Sequence, residues 1–83
     1  MRLLYFAWVK EKTGIDAEDV TLPENVATID DLIAWLKTRG PEFANAFARS
    51  EVIRAAIDRS HVRHDAKIGR AREIAFFPPV TGG

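Results

Sequence analysis

One amphipathic helix constrains the fold of this chain more than any other segment of the sequence. Its apolar residues recur at the i, i+3, i+4 and i+7 spacing of a single helix face: Ile29, Leu32, Ile33 and Leu36. Thr28 precedes this stripe as an N-cap, and Asp31 completes an aspartate version of the capping box. Gly40 and Pro41 close the helix, because glycine favours the position after a helix and proline cannot continue one. A helix with one apolar face must pack that face against another layer.

Short strand-like runs on both sides of the helix predict that second layer. They are rich in aromatic, β-branched or other apolar residues and cover residues 2–8, 16–22, 52–57 and 73–77. In the last run, alternation places Ile74 and Phe76 on one face, and the following prolines end the strand. A shorter helix is predicted to begin at Pro41, and residues 61–72 are predicted to form a short strand and a loop. This order predicts a two-layer α+β domain with one main helix across a mixed sheet.

Composition narrows the class of protein further. Eighty-three residues allow one domain, and the absence of cysteine excludes a disulfide framework, a thiolate nucleophile and a thiolate metal site. The net charge is zero, and no basic excess of the kind that nucleic-acid readers show is present. The apolar run before Lys10 is only seven residues long, too short to span a membrane. We therefore expect a cytoplasmic protein that binds neither nucleic acid nor membrane.

The body of the chain offers no convincing active site. His61, His64 and Asp65 have a spacing that suits metal ligands on a helix, but this stretch is not helical in pattern and no further ligands cluster beside it. The carboxylates of Asp30 and Asp31 are explained by the helix dipole, since they lie in the first helical turn. We predict no metal site and no bound cofactor.

The C-terminal segment is the strongest functional signal. Pro78 and Pro79 fix φ near −65°, so the chain should leave the sheet as a stiff, extended segment. Gly82 and Gly83 have no side chains and could enter a narrow channel with the terminal carboxylate. Adenylation with ATP would convert that carboxylate into an acyl adenylate that a sulfur nucleophile can attack. The alternative is an inert, disordered tail that happens to end in glycines.

The ending AFFPPVTGG, together with RLLYFAWVKEKTG and AAIDR, closely resembles the molybdopterin synthase small subunits, the MoaD family of sulfur carriers. The resemblance covers essentially the whole chain. It implies a ubiquitin-like β-grasp domain over residues 1–77 and an extended tail over residues 78–83. It also implies that Gly83 is adenylated by an activating enzyme using ATP and, with a sulfur donor system, becomes a thiocarboxylate.

The resemblance further implies partners and a docking surface. The tail, Pro78, Pro79, Val80, Thr81 and Gly82 with the sulfur-bearing Gly83, would insert into the large subunit of the synthase. There the sulfur would pass to cyclic pyranopterin monophosphate, with catalytic groups on the large subunit and two copies of each subunit in the assembly. Phe6, Phe77 and His61 would belong to the docking surface, although His61 occupies a position where the family carries an apolar residue.

One departure from the family pattern precedes the final strand. The family commonly has an Asp-Gly-Asp-Glu turn, whereas this chain has Arg70, Ala71, Arg72 and Glu73. Two alternatives to the molybdopterin role remain open at this point: a thiamine-pathway sulfur carrier, and a ubiquitin-like modifier conjugated to other proteins through Gly83.

Overall fold

The computed structural model describes residues 1–79 of the chain. In chain order its elements are β1 (Arg2–Tyr5), α1 (Ala7–Thr13), β2 (Ala17–Asp19), α2 (Ile29–Lys37), α3 (Pro41–Ala46), β3 (Arg54–Ile57), β4 (Ser60–Val62) and β5 (Glu73–Phe77). A short 3-10 helix, Ser50–Val52, precedes β3. The predictions for Val80, Thr81, Gly82 and Gly83 lie outside the described residues, and the division into domain 1–77 and tail 78–83 stays a prediction.

The strands form one mixed sheet with the order β2-β1-β5-β3-β4. β1 and β5 run parallel at its centre, with Leu3 opposite Ile74 and Tyr5 opposite Phe76. The other neighbouring pairs are antiparallel. The parallel pairing brings the C-terminal ends of β1 and β5 to the same end of the sheet, and Pro78 follows from there. The predicted α+β architecture is confirmed.

The core lies on one face of this sheet, beneath the helices. Ile74 and Phe76 are fully buried, as the alternation predicts, and the apolar stripe of α2 is buried against the same cluster. Phe76 stacks on Tyr5 at 6.2 Å between ring centroids and meets Phe47 edge-on at 5.1 Å. Such aromatic pairs add about 0.5–1.5 kcal/mol each beyond the area that they bury.

The capping box of α2 forms as predicted. The Asp31 amide donates to Thr28 Oγ1 at 3.2 Å, and the Thr28 amide donates back to Asp31 Oδ2 at 3.1 Å. Hydrogen bonds from the amides of Ala27 and Thr28 hold the pKa of the Asp31 carboxyl below its ordinary value. The helix ends at Lys37, and Pro41 takes the first turn of α3.

The predicted strand over residues 2–8 is wrong beyond Tyr5. Phe6 is the N-cap of α1, and the chain turns helical at Ala7, whose φ is +51°. The helix buries Val9 and Thr13, which are four residues apart and therefore share one helical face. Because every residue from Leu3 to Val9 is apolar, the sequence does not show where the two-residue period of a strand changes to the 3.6-residue period of a helix. Gly14, with φ +84°, ends the helix in the left-handed region.

Two further strands are shorter than predicted, whereas β5 has the predicted bounds. The run 16–22 is extended only over Ala17–Asp19, and the run 52–57 only over Arg54–Ile57, because Val52 belongs to the preceding 3-10 helix. Single-turn elements of this kind are common connectors and leave little trace in a hydrophobic pattern.

The turn before β5 forms despite the departure from the family pattern. Gly69 has φ +57°, and the Ala71 amide donates to the Ile68 carbonyl at 3.1 Å. Gly69, one residue before Arg70, therefore supplies the left-handed backbone conformation for which a turn favours glycine. This turn lies at the end of the sheet away from Pro78.

Candidate docking face and C-terminal segment

The candidate site begins with the sheet face opposite the core, which we call the outer face. Because successive strand residues point to opposite faces, burial of Tyr5, Ile74 and Phe76 on the core side places their neighbours on the other side. The outer face is formed by Leu4, Ala56, Ala75 and Phe77. In register, Ala75 lies between Leu4 of β1 and Ala56 of β3.

The helices within residues 1–79 bury their apolar side chains on the core side of the sheet and not on the outer face. Their buried apolar side chains, among them Val9, Leu32 and Ala46, all join the core cluster on the other side. Leu4, Ala75 and Phe77 remain only partly buried. The outer face is consequently a small apolar surface, which is the kind of surface that a protein partner covers.

Phe6 stands at the end of the sheet from which the C-terminal segment leaves. Its side chain is 49% exposed, a large fraction for phenylalanine. Its amide donates to the Phe76 carbonyl at 3.1 Å, which fixes it beside the last residues of β5. The backbone that turns from β1 into α1 thus carries an aromatic side chain out to solvent beside Phe77.

His61 contacts Phe77. His61 pairs with Ala56 across β3 and β4, and its ring centroid lies 5.1 Å from that of Phe77, tilted by 54°. The structure therefore brings two of the predicted docking residues into contact and places the third, Phe6, at the neighbouring strand end. The His61 ring therefore packs beside Phe77 on the outer face.

An open groove of about 450 Å³ runs along this edge of the sheet. Its lining includes Arg54, His61, Arg63, Phe77 and Pro79, and we call it the tail groove. Pro78 and Pro79 are both partly buried, so the first residues of the predicted tail still touch the domain.

Sequence reasoning missed several residues of this site. Leu4, Ala56 and Ala75 could be placed on one face only once strand order and register were known, although period-two alternation within each strand was visible. Arg54 lies directly opposite Phe77 in the register of β3 and β5. No local pattern announces that pairing, because it depends on a long-range contact.

The two histidines have separate surroundings. His64 Nε2 lies 2.7 Å from the Ile53 carbonyl oxygen, and its Nδ1 lies 3.6 Å from Asp30 Oδ1. These contacts join the loop after β4 to the start of α2 and of β3. Within residues 1–79, no group of three or more histidine, cysteine or acidic side chains is arranged to hold a metal ion. No helix in that range is long and apolar enough to cross a membrane.

The fold and this face together define a class of protein. It is a small ubiquitin-like β-grasp domain whose last strand leads into a Pro-Pro segment beside an open apolar sheet face. The chain belongs to the ThiS family, which matches residues 3–83.

Curated relatives span the whole chain. It is 32% identical over 83 residues to the molybdopterin synthase sulfur carrier subunit of Haemophilus influenzae, covering 100% of this chain and 99% of the relative. The protein of the same name from Escherichia coli strain K12 gives the same values. The one from Dictyostelium discoideum is 36% identical over 84 residues, covering 99% of this chain and 94% of the relative.

Solved structures share the fold. SAMP1 from Haloferax volcanii superposes with a TM-score of 0.72 at 23% identity, covering 100% of this chain and 98% of the other. A putative molybdopterin converting factor, subunit 1, from Pyrococcus furiosus gives 0.73 at 26% identity, with 95% of each chain covered. The comparisons confirm the predicted ubiquitin-like fold, the predicted family resemblance and the predicted sulfur-carrier role.

Proposed function

We propose that this chain is the sulfur-carrier subunit of molybdopterin synthase and carries sulfur as a thiocarboxylate on Gly83. The observation that carries the proposal is the position of Phe77, which ends β5 on the open apolar face and leads into PPVTGG. The full-length similarity to three proteins named as molybdopterin synthase sulfur carrier subunits supports the same role.

The proposed chemistry begins with the terminal carboxylate. A carboxylate oxygen of Gly83 attacks the α-phosphorus of ATP on an activating enzyme, and pyrophosphate leaves. Hydrosulfide supplied by a sulfur donor system then attacks the acyl carbon, and AMP leaves to give the thiocarboxylate. This chain binds no cofactor in the scheme, and ATP is a substrate of the activating enzyme.

The second stage takes place on a partner. In each transfer the thiocarboxylate sulfur bonds to an electrophilic carbon of cyclic pyranopterin monophosphate, and an oxygen substituent leaves that carbon. Water then cleaves the acyl–sulfur bond, which leaves the sulfur on the pterin and restores the Gly83 carboxylate. The large subunit of the synthase supplies the catalytic groups for this stage. The present chain positions the sulfur. Pro78 and Pro79 limit the conformations of the C-terminal segment, and Gly82 and Gly83, which have no side chains, fit into a narrow channel of the partner.

Docking to the large subunit uses the outer face in this proposal. Three aromatic side chains lie at the end of that face beside the C-terminal segment: Phe6, His61 and Phe77. Aromatic residues are enriched in interface cores. The assembly would contain two large and two small subunits. We place the reaction in the cytoplasm, because the activating step consumes ATP.

Labelling the carrier after charging tests the proposal directly. The full chain is incubated with the activating enzyme, ATP and a sulfur donor, then alkylated, and intact and fragment masses are measured. Because the sequence contains no cysteine, the thiocarboxylate is the expected target of a thiol-alkylating reagent. A variant with one alanine added after Gly83 is the control and should not be labelled.

Label on Gly83 that disappears in the extended variant is the expected result. No label on the native chain, with an activating enzyme that charges a known carrier, would overturn the thiocarboxylate role. Offering the charged chain to cyclic pyranopterin monophosphate on the large subunit, or to the thiamine pathway, then distinguishes those two acceptors. Covalent adducts of higher mass in cell extracts would instead support the protein-modifier alternative.

A further inference from the structure

Two arginines border the tail groove. Arg54 opens β3 directly opposite Phe77, and Arg63 follows the last residue of β4. Both side chains are exposed and line the same groove as His61 and Pro79. The apolar centre of the outer face therefore has a cationic border where the C-terminal segment leaves the domain.

Within residues 1–79, three other arginines have carboxylate partners, whereas Arg54 and Arg63, like Arg59, Arg70 and Arg72, do not. Arg2 lies 3.7 Å from Asp19 Oδ2, Arg39 lies 2.6 Å from Glu18 Oε2, and Arg49 lies 3.3 Å from Glu51 Oε1. Within residues 1–79, neither Arg54 nor Arg63 forms an ion pair.

The surrounding charges leave this border positive. Glu51 lines a neighbouring groove that Arg54 and Arg63 also line, but its carboxylate is paired with Arg49. His61 lines the same groove as the two arginines and brings no negative charge to it. No described acidic side chain lines the tail groove itself.

We propose that the protein that docks on the outer face carries carboxylates opposite Arg54 and Arg63. This inference rests on the proposed function and specifies the chemistry of the partner, the large subunit. A guanidinium presents planar paired donors that match a carboxylate, and it suits the polar rim around an apolar contact. The pair steers the partner toward the end of the sheet where the C-terminal segment must enter it.

The test measures binding of the full chain to the large subunit at low and high salt. The test variant combines Arg54→Glu with Arg63→Glu. The control variant combines Arg70→Glu with Arg72→Glu, which changes the net charge equally at the opposite end of the sheet. We expect the test variant to bind about tenfold or more weakly than wild type at low salt. We expect the control to stay within about threefold.

The salt dependence gives a second readout. Added salt should weaken wild-type binding markedly and binding of the test variant much less, since the attractive charges are gone. Thermal unfolding of each variant shows that the fold is intact. If the glutamate variant does not fold, Arg54→Gln with Arg63→Gln removes both charges and should still weaken low-salt binding.

The outcomes separate the two proposals. If wild type binds the large subunit and the test variant matches the control in affinity and salt dependence, the inference about partner carboxylates is wrong while the proposed function stands. If the wild-type chain does not bind the large subunit at all, the proposed function is overturned and the inference with it.

Discussion

Arg39 holds the Glu18 carboxylate with both arms of its guanidinium, Nη1 to Oε2 at 2.6 Å and Nη2 to Oε1 at 2.8 Å. The Tyr5 hydroxyl donates to the same Oε2 at 2.7 Å. The guanidinium also lies over the Phe43 ring at 4.7 Å. This cluster ties the edge strand β2 to β1 and to the connection between α2 and α3.

Replacing Glu18 should destabilise the domain and change its response to acid. Burial raises the pKa of the Glu18 carboxyl, but hydrogen bonds from Arg39 and Tyr5 outweigh it and hold the pKa below its ordinary value. A depressed pKa contributes stability above the unfolded pKa, and that stability is lost as pH falls through the folded pKa. Glu18→Gln should cost about 1–3 kcal/mol at neutral pH and less in acid.

Urea unfolding of wild type and Glu18→Gln at about pH 7 and about pH 4 checks this, since model carboxyl groups titrate near the lower value. Asp19→Asn is the matched control, because Asp19 belongs to an exposed, 3.7 Å pair with Arg2. A deficit for Glu18→Gln that equals that of Asp19→Asn, or that does not shrink at the lower pH, would contradict the prediction.

Tyr5 should set the alkaline limit of stability. Burial, then the hydrogen bond to Glu18, raises the pKa of the Tyr5 phenol far above its ordinary value. A raised pKa contributes stability that is complete below the unfolded pKa, near pH 10, and is lost as pH rises above it. Tyr5→Phe should cost about 1 kcal/mol at neutral pH and remove that alkaline loss.

The measurement is unfolding at about pH 7 and about pH 10.5. Tyr5 is also the only tyrosine of the chain, so ultraviolet absorbance follows its ionisation without interference from another phenol. Phenolate absorbance should rise together with loss of structure. Its rise in a fully folded protein near pH 10 would show that the phenol is not protected.

The sequence predicts elements well where local signals and tertiary demands agree. α2 has an apolar stripe, an N-cap residue and a Gly-Pro pair that ends it, and its N-cap lies where predicted. The final strand β5 also has the predicted bounds. α1 was missed because Leu3 to Val9 is apolar at every position, so neither period stands out. The positive φ of Ala7, where β1 turns into that helix, has no sequence signal.

The candidate site, too, could be predicted only in part from the sequence. Phe6, His61 and Phe77 were predicted from resemblance, and the structure places them at one end of the sheet. The arginine border could not be predicted, because Arg54 meets Phe77 only through the order β5-β3. Side chains separated by this much sequence become neighbours only when the topology is known.

The β3–β4 turn offers a stabilising substitution. Asp58 and Arg59 have φ of +46° and +73°, as a type I′ turn requires, but neither is glycine. Arg59→Gly should raise the free energy of unfolding by about 0.5–1 kcal/mol, since relief of left-handed strain exceeds the added flexibility of the unfolded chain. Thermal or urea unfolding measures the change.

Asp58→Gly is the control for this prediction. It relieves the same kind of backbone strain but removes the carboxylate oxygen that accepts from the amides of Arg72 and Glu73 at 2.9 and 3.0 Å. It should therefore destabilise the domain. Equal effects of the two glycine substitutions would show that neither the strain nor these hydrogen bonds decides the stability of the turn.

Phe6 should separate docking from folding. It is the N-cap of α1 without a side-chain cap hydrogen bond, and its ring is largely in solvent. Phe6→Ser removes the ring and adds a side chain that caps helices well, so stability should hold or rise by about 0.5–1 kcal/mol. Affinity for the large subunit should nevertheless fall by about tenfold, as expected for loss of an aromatic interface residue.

Ile15→Ser provides the comparison, because Ile15 is the other large hydrophobic side chain that the structure exposes within residues 1–79, at 36%. It precedes the edge strand β2, on the side of the sheet away from the tail groove. Binding and unfolding are measured on both variants. If both serines weaken binding equally, or if Phe6→Ser binds as well as wild type, Phe6 does not belong to the docking surface. If only Phe6→Ser weakens binding, and its domain is at least as stable as wild type, then the exposed Phe6 ring serves partner binding and not folding.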